Sequence, residues 1–150
     1  MKCGEQDQLE DDQHLWRRVK DDPNMLIWNS DEKRWVPSNT NPSNSVQFNP
    51  ELSTFWREHL EDSHMLTARS IADDELGYTL VFEIMVEVPR KFGATVVHTP
   101  TCERPVQCAH TSVFYPNDLN KGQRFIFRQE LAHSMFLVSG SCHQVPPPGA

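Results

Sequence analysis

The sequence predicts a single α+β domain: a mostly antiparallel sheet with one long C-terminal helix and a few short helices. Two observations carry this. Short β-rich runs recur along the chain, separated by polar connections holding Pro, Asn, Asp and Ser. Near the C-terminus, apolar residues fall instead at helical spacing: Leu119, Phe125, Ile126, Phe127, Leu131 and Met135 oppose Gln123, Arg124 and Gln129. A length of 150 residues is about one domain's worth of chain.

Taken in order, residues 1–13 are acidic and nearly devoid of apolar side chains, so they cannot offset the ~1–2 kcal/mol per residue that ordering costs. They are expected to form a mobile tail, followed by one domain over 14–140 and a Pro-rich tail over 141–150. In His14 to Val19 alternation puts Leu15, Arg17 and Val19 on one face of a strand. Met25 to Trp28 and Arg34 to Pro37 flank Asn29-Ser30-Asp31-Glu32-Lys33, a connection of hairpin length. Pro37 to Ser45 is a polar loop. Asn49 as N-cap, Pro50 in the first turn and Glu51 behind it favour a helix over about 50–61, with a strand at 52–56 followed by loop as the rival.

From Thr79 the alternation of Leu80, Phe82 and Ile84 reads as a strand, and Pro89, Lys91 and Gly93 punctuate a short helix at 86–92. The β-rich runs at 94–98 and 109–115 should pair antiparallel across a loop holding Pro100 and Pro105. Asn117 or Asp118 is placed to cap the last helix, which is expected to run to about Val138.

Lys and Arg number 14 against 21 Asp and Glu, a formal net charge of -7 that repels phosphate backbones and anionic lipid. Neither nucleic acid nor membrane is therefore an expected partner. No apolar run approaches the ~18 residues of a membrane span, and the opening MKCGEQDQLEDDQHLWRR lacks the apolar region of a secretion signal. Cys3, Cys102, Cys108 and Cys142 show no spacing rhythm, so free thiols in a reducing cytoplasm are expected, with a disulfide as the alternative.

His98, Cys102, Cys108 and His110 form the densest cluster of candidate ligands, all acceptable to zinc, although their spacing fits no finger or ribbon. No cofactor is expected, and zinc at this 98–110 hairpin is the one alternative. Cys108 with His98 or His110 as base is a candidate nucleophile, but no helix N-terminus follows it to stabilise an oxyanion. Glu83, Glu87 and Lys91 read as a solvated, salt-bridged edge, Arg124 and Arg128 as a wet helix face, and the four tryptophans as core or as a protein-binding anchor.

A looser set joins Arg17 on the first strand to Ser43, Ser45 and Glu51. In ADP-ribosyltransferase-like folds an arginine, a serine and a glutamate hold a nicotinamide dinucleotide, and the chain order here is similar to theirs. Leu15-Trp16-Arg17-Arg18, the stretch from Pro42 to Ser53 and Arg104-Pro105-Val106-Gln107-Cys108-Ala109-His110 together carry another likeness. They resemble small bacterial proteins of uncharacterised function with a Leu-aromatic-Arg-Arg start, a Ser-Ser-x-x-Phe-x-x-x-Glu-Leu-Ser middle and a late Pro-Ala-His. The middle departs from that pattern, reading Ser43-Asn44-Ser45 where the likeness has adjacent serines. The resemblance brings no activity; it supports His110 as a functional imidazole.

Two functions follow as expectations. One is a small bacterial, cytoplasmic domain that binds another protein as a non-catalytic accessory or regulatory component. The alternative is an enzyme or ligand-binding protein for a nucleotide-like or phosphorylated molecule, with Arg17, Ser43, Ser45 and His110 gathered in one pocket. Coordinates discriminate between them, since only the second needs those side chains around a shared concavity.

Overall fold

A computed structural model describes residues 6–40, 45–64 and 66–149. Its strands are β1 (His14–Val19), β2 (Leu26–Asn29), β3 (Arg34–Pro37), β4 (Glu51–Trp56), β5 (Leu80–Met85), β6 (Thr95–His98), β7 (His110–Phe114) and β8 (Phe136–Ser139). The helices are α1 (Arg57–His64), α2 (Glu87–Lys91) and α3 (Lys121–His133), with single 3-10 turns at Ala68–Ile71 and Pro105–Ala109. Six strands form one antiparallel sheet in the order β6-β7-β4-β1-β5-β8, and β2 with β3 makes a separate hairpin. This is the α+β architecture expected from the pattern.

Register decides which side chains share a face, because paired residues on antiparallel strands point the same way. Leu15, Val19, Leu52, Trp56, Leu80, Phe82, Ile84, Val96 and Val113 project to one face and join the core. Trp16, Arg18, Ser53, Phe55, Val81, Glu83 and His110 project to the other. That second face mixes aromatic and charged groups. Trp16 is buried there and donates its indole N–H to Glu83 at 2.9 Å, while Arg57 donates to the same carboxylate oxygen at 3.0 Å.

Three expectations need correction. Residues 51–56 form a strand where a helix over 50–61 is expected, and the helix begins only at Arg57. Local punctuation at Asn49-Pro50 is outweighed by pairing on both edges of β4, which lies between β1 and β7. The last helix is shorter than the pattern suggests. Asn120 caps it, accepting from the Gln123 amide at 2.8 Å while Gln123 returns a side-chain acceptor to the Asn120 amide at 2.9 Å. The helix stops at His133, and the aromatic and branched run Phe136-Leu137-Val138 pairs with β5 as an edge strand instead. Arg34 of the hairpin donates to the carbonyls of His133 and Met135, holding this helix end in place.

The third correction concerns the tail. Residues 6–13 lie against the fold, with Leu9 buried in the core and the Gln13 carbonyl accepting from the Val86 amide at 2.8 Å. Composition gives little weight to one buried leucine, and backbone hydrogen bonds and the Asp11–Arg90 ion pair add to the docking. Among residues 141–149, Cys142 and His143 are tied to Asp21, and most of the rest is exposed. No helix among the described residues is long and apolar enough to cross a membrane.

Candidate functional site

The two central strands, β1 and β4, pair only at Leu15↔Trp56 and Trp16↔Phe55. Beyond that point the ladder stops, and Arg17 fills the opening. Its Nη1 donates to the Ser53 carbonyl at 2.8 Å and its Nε to the Ser45 carbonyl at 3.0 Å. A guanidinium suits this place, since its planar fork reaches two acceptors at once. Nη2 makes no hydrogen bond among the described residues. Burial lowers the Arg17 pKa to about 10, with the charge of Arg18 acting in the same direction and Tyr78 opposing it. The group remains a cation at neutral pH.

Arg18 crosses to the other face, where its guanidinium sits 5.9 Å from the centre of the Phe55 ring and 5.5 Å from that of Tyr78. Lys20 places its ammonium 5.3 Å from the same Tyr78 ring. Two adjoining hollows share Arg17, Arg18 and Tyr78 in their walls. One, about 170 Å³, also takes in Lys20, Ser45, Gln47 and Asn49; the other, about 230 Å³, takes in Ser53, Phe55 and Leu76. Neither lining contains a carboxylate, and Arg17, Arg18 and Lys20 have no ion-pair partner among the described residues. In a chain of net charge -7, this concentrates uncompensated positive charge at one spot.

At the edge of the second hollow, Ser53 Oγ lies 2.6 Å from His110 Nε2. His110 Nδ1 lies 2.8 Å from Thr99 Oγ1 and 3.2 Å from the Thr99 carbonyl oxygen, and Phe55 packs its ring edge-on at 5.8 Å from the imidazole. Thr99 Oγ1 is in turn 2.8 Å from Ser112 Oγ.

Of the residues singled out by sequence, the structure therefore brings Arg17, Ser45 and His110 into one neighbourhood. Ser45 takes part through its carbonyl, because its hydroxyl donates to the Met25 carbonyl at 2.8 Å inside the fold. Ser43 lies outside the described residues. Glu51 shares a face of β4 with Ser53 but lines neither hollow. Sequence reasoning missed Ser53, Tyr78, Thr99 and the role of Arg18; the one signal for Ser53 is its place in the Glu51-Leu52-Ser53 run.

The four proposed zinc ligands do not converge. His98 pairs with Thr111, one residue beyond His110, so the two imidazoles face opposite sides of the sheet. Both ring nitrogens of His98 are engaged, Nδ1 accepting from the Asp7 amide at 3.1 Å and Nε2 donating to the Cys108 carbonyl at 2.7 Å. Cys102 is exposed and free, whereas Cys108 is disulfide-bonded, which corrects the expectation of free thiols and removes Cys108 as the attacking thiolate. No cluster of three metal-ligating side chains occurs among the described residues.

Several residues of the remaining motifs have structural partners. Glu83 accepts from Trp16 and Arg57, Trp28 packs edge-on against Trp35 at 5.3 Å, and Arg124 covers the Tyr115 ring at 5.0 Å. Compared with known families and proteins, the chain matches no family model, no curated protein and no solved structure.

Proposed function

We propose that this protein binds a small phosphorylated, nucleotide-like molecule in the adjoining hollows walled by Arg17, Arg18 and Tyr78. One observation carries the reading: Arg17, Arg18 and Lys20 surround Tyr78 in a cleft without a carboxylate, on an otherwise acidic chain. Arginine forks recognise phosphate oxygens in pairs, and Tyr78 and Phe55 offer ring faces to a flat heterocycle. The size of the hollows narrows the ligand. Each is below the ~300–1,000 Å³ typical of drug-sized sites, so a mononucleotide or one half of a dinucleotide fits better than an extended cofactor.

Thermal shift with inorganic phosphate, AMP and nicotinamide dinucleotide tests this. A ligand at a hundred times its Kd stabilises by about 2.7 kcal/mol, and the shift is expected in the wild type and lost in Arg18→Ala and Lys20→Ala. No shift with any of the three, or an undiminished shift in both variants, overturns the reading.

A second reading rests on a different surface. Phe136, Leu137 and Val138 of β8 are all exposed, and the outer edge of that strand pairs with nothing among the described residues. This supports a non-catalytic accessory or regulatory domain of a bacterial cytoplasm that receives an extended segment of a partner protein along β8. Co-purification from the host, abolished by Leu137→Lys and preserved in Arg18→Ala, is the expected result. A partner retained by Leu137→Lys removes this reading.

A further inference from the structure

The binding reading leaves the Ser53 hydroxyl unused. Its 2.6 Å approach to His110 Nε2 belongs to a relay, because a carbonyl oxygen only accepts hydrogen bonds. His110 Nδ1 faces two Thr99 oxygens, the hydroxyl at 2.8 Å and the carbonyl at 3.2 Å; the tautomer protonated at Nδ1 uses both as acceptors and leaves Nε2 to accept from Ser53. A nearby pair shows what a purely structural cross-strand contact looks like in this sheet: Thr54 and Thr111 are joined hydroxyl to hydroxyl and are both fully buried. Ser53 and His110 differ. Both keep solvent exposure, and Ser53 opens onto the hollow shared with Arg17, Arg18 and Tyr78.

Resting on the proposal that this cleft takes an anionic ligand, we infer that Ser53 is a nucleophile and His110 its general base, acting on carboxylic esters that carry a negative charge. His110 Nε2 takes the hydroxyl proton as Oγ bonds to the ester carbonyl carbon. The tetrahedral adduct collapses by breaking the bond to the alcohol oxygen, which leaves with the proton from His110. Water, deprotonated by the same imidazole, then attacks the acyl carbon and releases the acid, restoring Ser53. Ester and water become acid and alcohol. Arg17, bonded to the backbone carbonyl of Ser53, lines the same hollow as the Ser53 side chain and adds positive charge to its wall.

A fluorophosphonate probe tests the nucleophile directly, with the adduct located by mass spectrometry. One adduct per chain on Ser53 is expected in the wild type, none in Ser53→Ala, and labelling slowed on the order of 100-fold in His110→Gln. His110→Asn is labelled alongside as a second variant, and slowing of the same order is expected in whichever of the two folds. Wild-type hydrolysis of 4-nitrophenyl hemisuccinate should exceed that of 4-nitrophenyl acetate, a preference reduced in Arg18→Ala. Absence of a Ser53 adduct in the wild type, or a rate unchanged in a folded His110→Gln or His110→Asn variant, overturns the nucleophile. A phosphate thermal shift without an adduct overturns the nucleophile while the binding reading stands. An adduct without that shift, and without preference for the charged ester, overturns the anionic substrate class.

Discussion

The Nη1 group of Arg17 donates to the carbonyl of Ser53 across the point where β1 and β4 stop pairing. One side chain thus satisfies backbone carbonyls where the ladder parts, at the residue whose hydroxyl is itself 2.6 Å from an imidazole. Structure and candidate chemistry meet at the same residue.

Arg17→Lys should expose that double role. A lysine ammonium cannot hold the Ser45 and Ser53 carbonyls in the geometry of a planar fork, and an unmade hydrogen bond costs about 1–3 kcal/mol. Urea denaturation is expected to show a loss in that range, larger than for Arg18→Lys, whose contact with the Ile71 carbonyl is long at 3.4 Å. Equal losses in the two variants would contradict the account.

Glu83→Ala removes the acceptor for the buried Trp16 indole and a partner of Arg57. The expected destabilisation is about 1–3 kcal/mol, read as a lower urea midpoint, because the stranded N–H bears its full desolvation cost. Glu83→Gln keeps an acceptor oxygen and should lose less. A reversed order of the two variants counts against the hydrogen bond as the cause.

Gly140 ends β8 at a φ of +89°, and a Cβ there meets the Thr79 carbonyl oxygen at 2.4 Å. Gly140→Ala is expected to cost at least ~1–3 kcal/mol and to increase amide exchange along Phe136 to Ser139. Gly77, at +80° with nothing within 4 Å, supplies the control: its alanine variant carries backbone strain of about 1 kcal/mol and no clash.

Cys142 and Cys102 should alkylate at different rates. Burial raises the Cys142 thiol above its ordinary value, and the hydrogen bond and charge of Asp21 add to the rise while the Gln144 backbone opposes it. Thiolate is the reacting form, so near pH 8 iodoacetamide is expected to modify the exposed Cys102 first. Raising the pH through the elevated value ionises Cys142 and narrows the gap, which peptide mass spectrometry measures. Faster reaction of Cys142 at pH 8 would refute the burial argument.

What was legible in the chain depended on how local the cause is. The hairpin around Asn29 to Lys33, β1, the turn from β5 into α2 and the pairing of β6 with β7 all follow from period and punctuation within a dozen or so residues. β4 does not, because its helix-like start is overridden by neighbours from both halves of the chain. β8 was hidden in the same way, as its hydrophobic run continues the helical stripe until pairing with β5 gives it another use. The candidate site divides likewise. Arg17 and His110 were identifiable as polar residues in β-rich settings and Ser45 as a hydroxyl closing a polar loop, whereas Ser53 was concealed within a segment read as helix.

By itself the sequence determined the α+β class, the acidic charge, the order of most elements and two members of the candidate site, a guanidinium and an imidazole. Tertiary structure alone decided that β1 and β4 part beyond Trp16 and Phe55, that Ser53 meets His110, and that His98 faces away from it. The reason is physical. Side-chain period is a local property of the backbone, but a contact between strands depends on register, and register is set jointly by residues far apart in the chain.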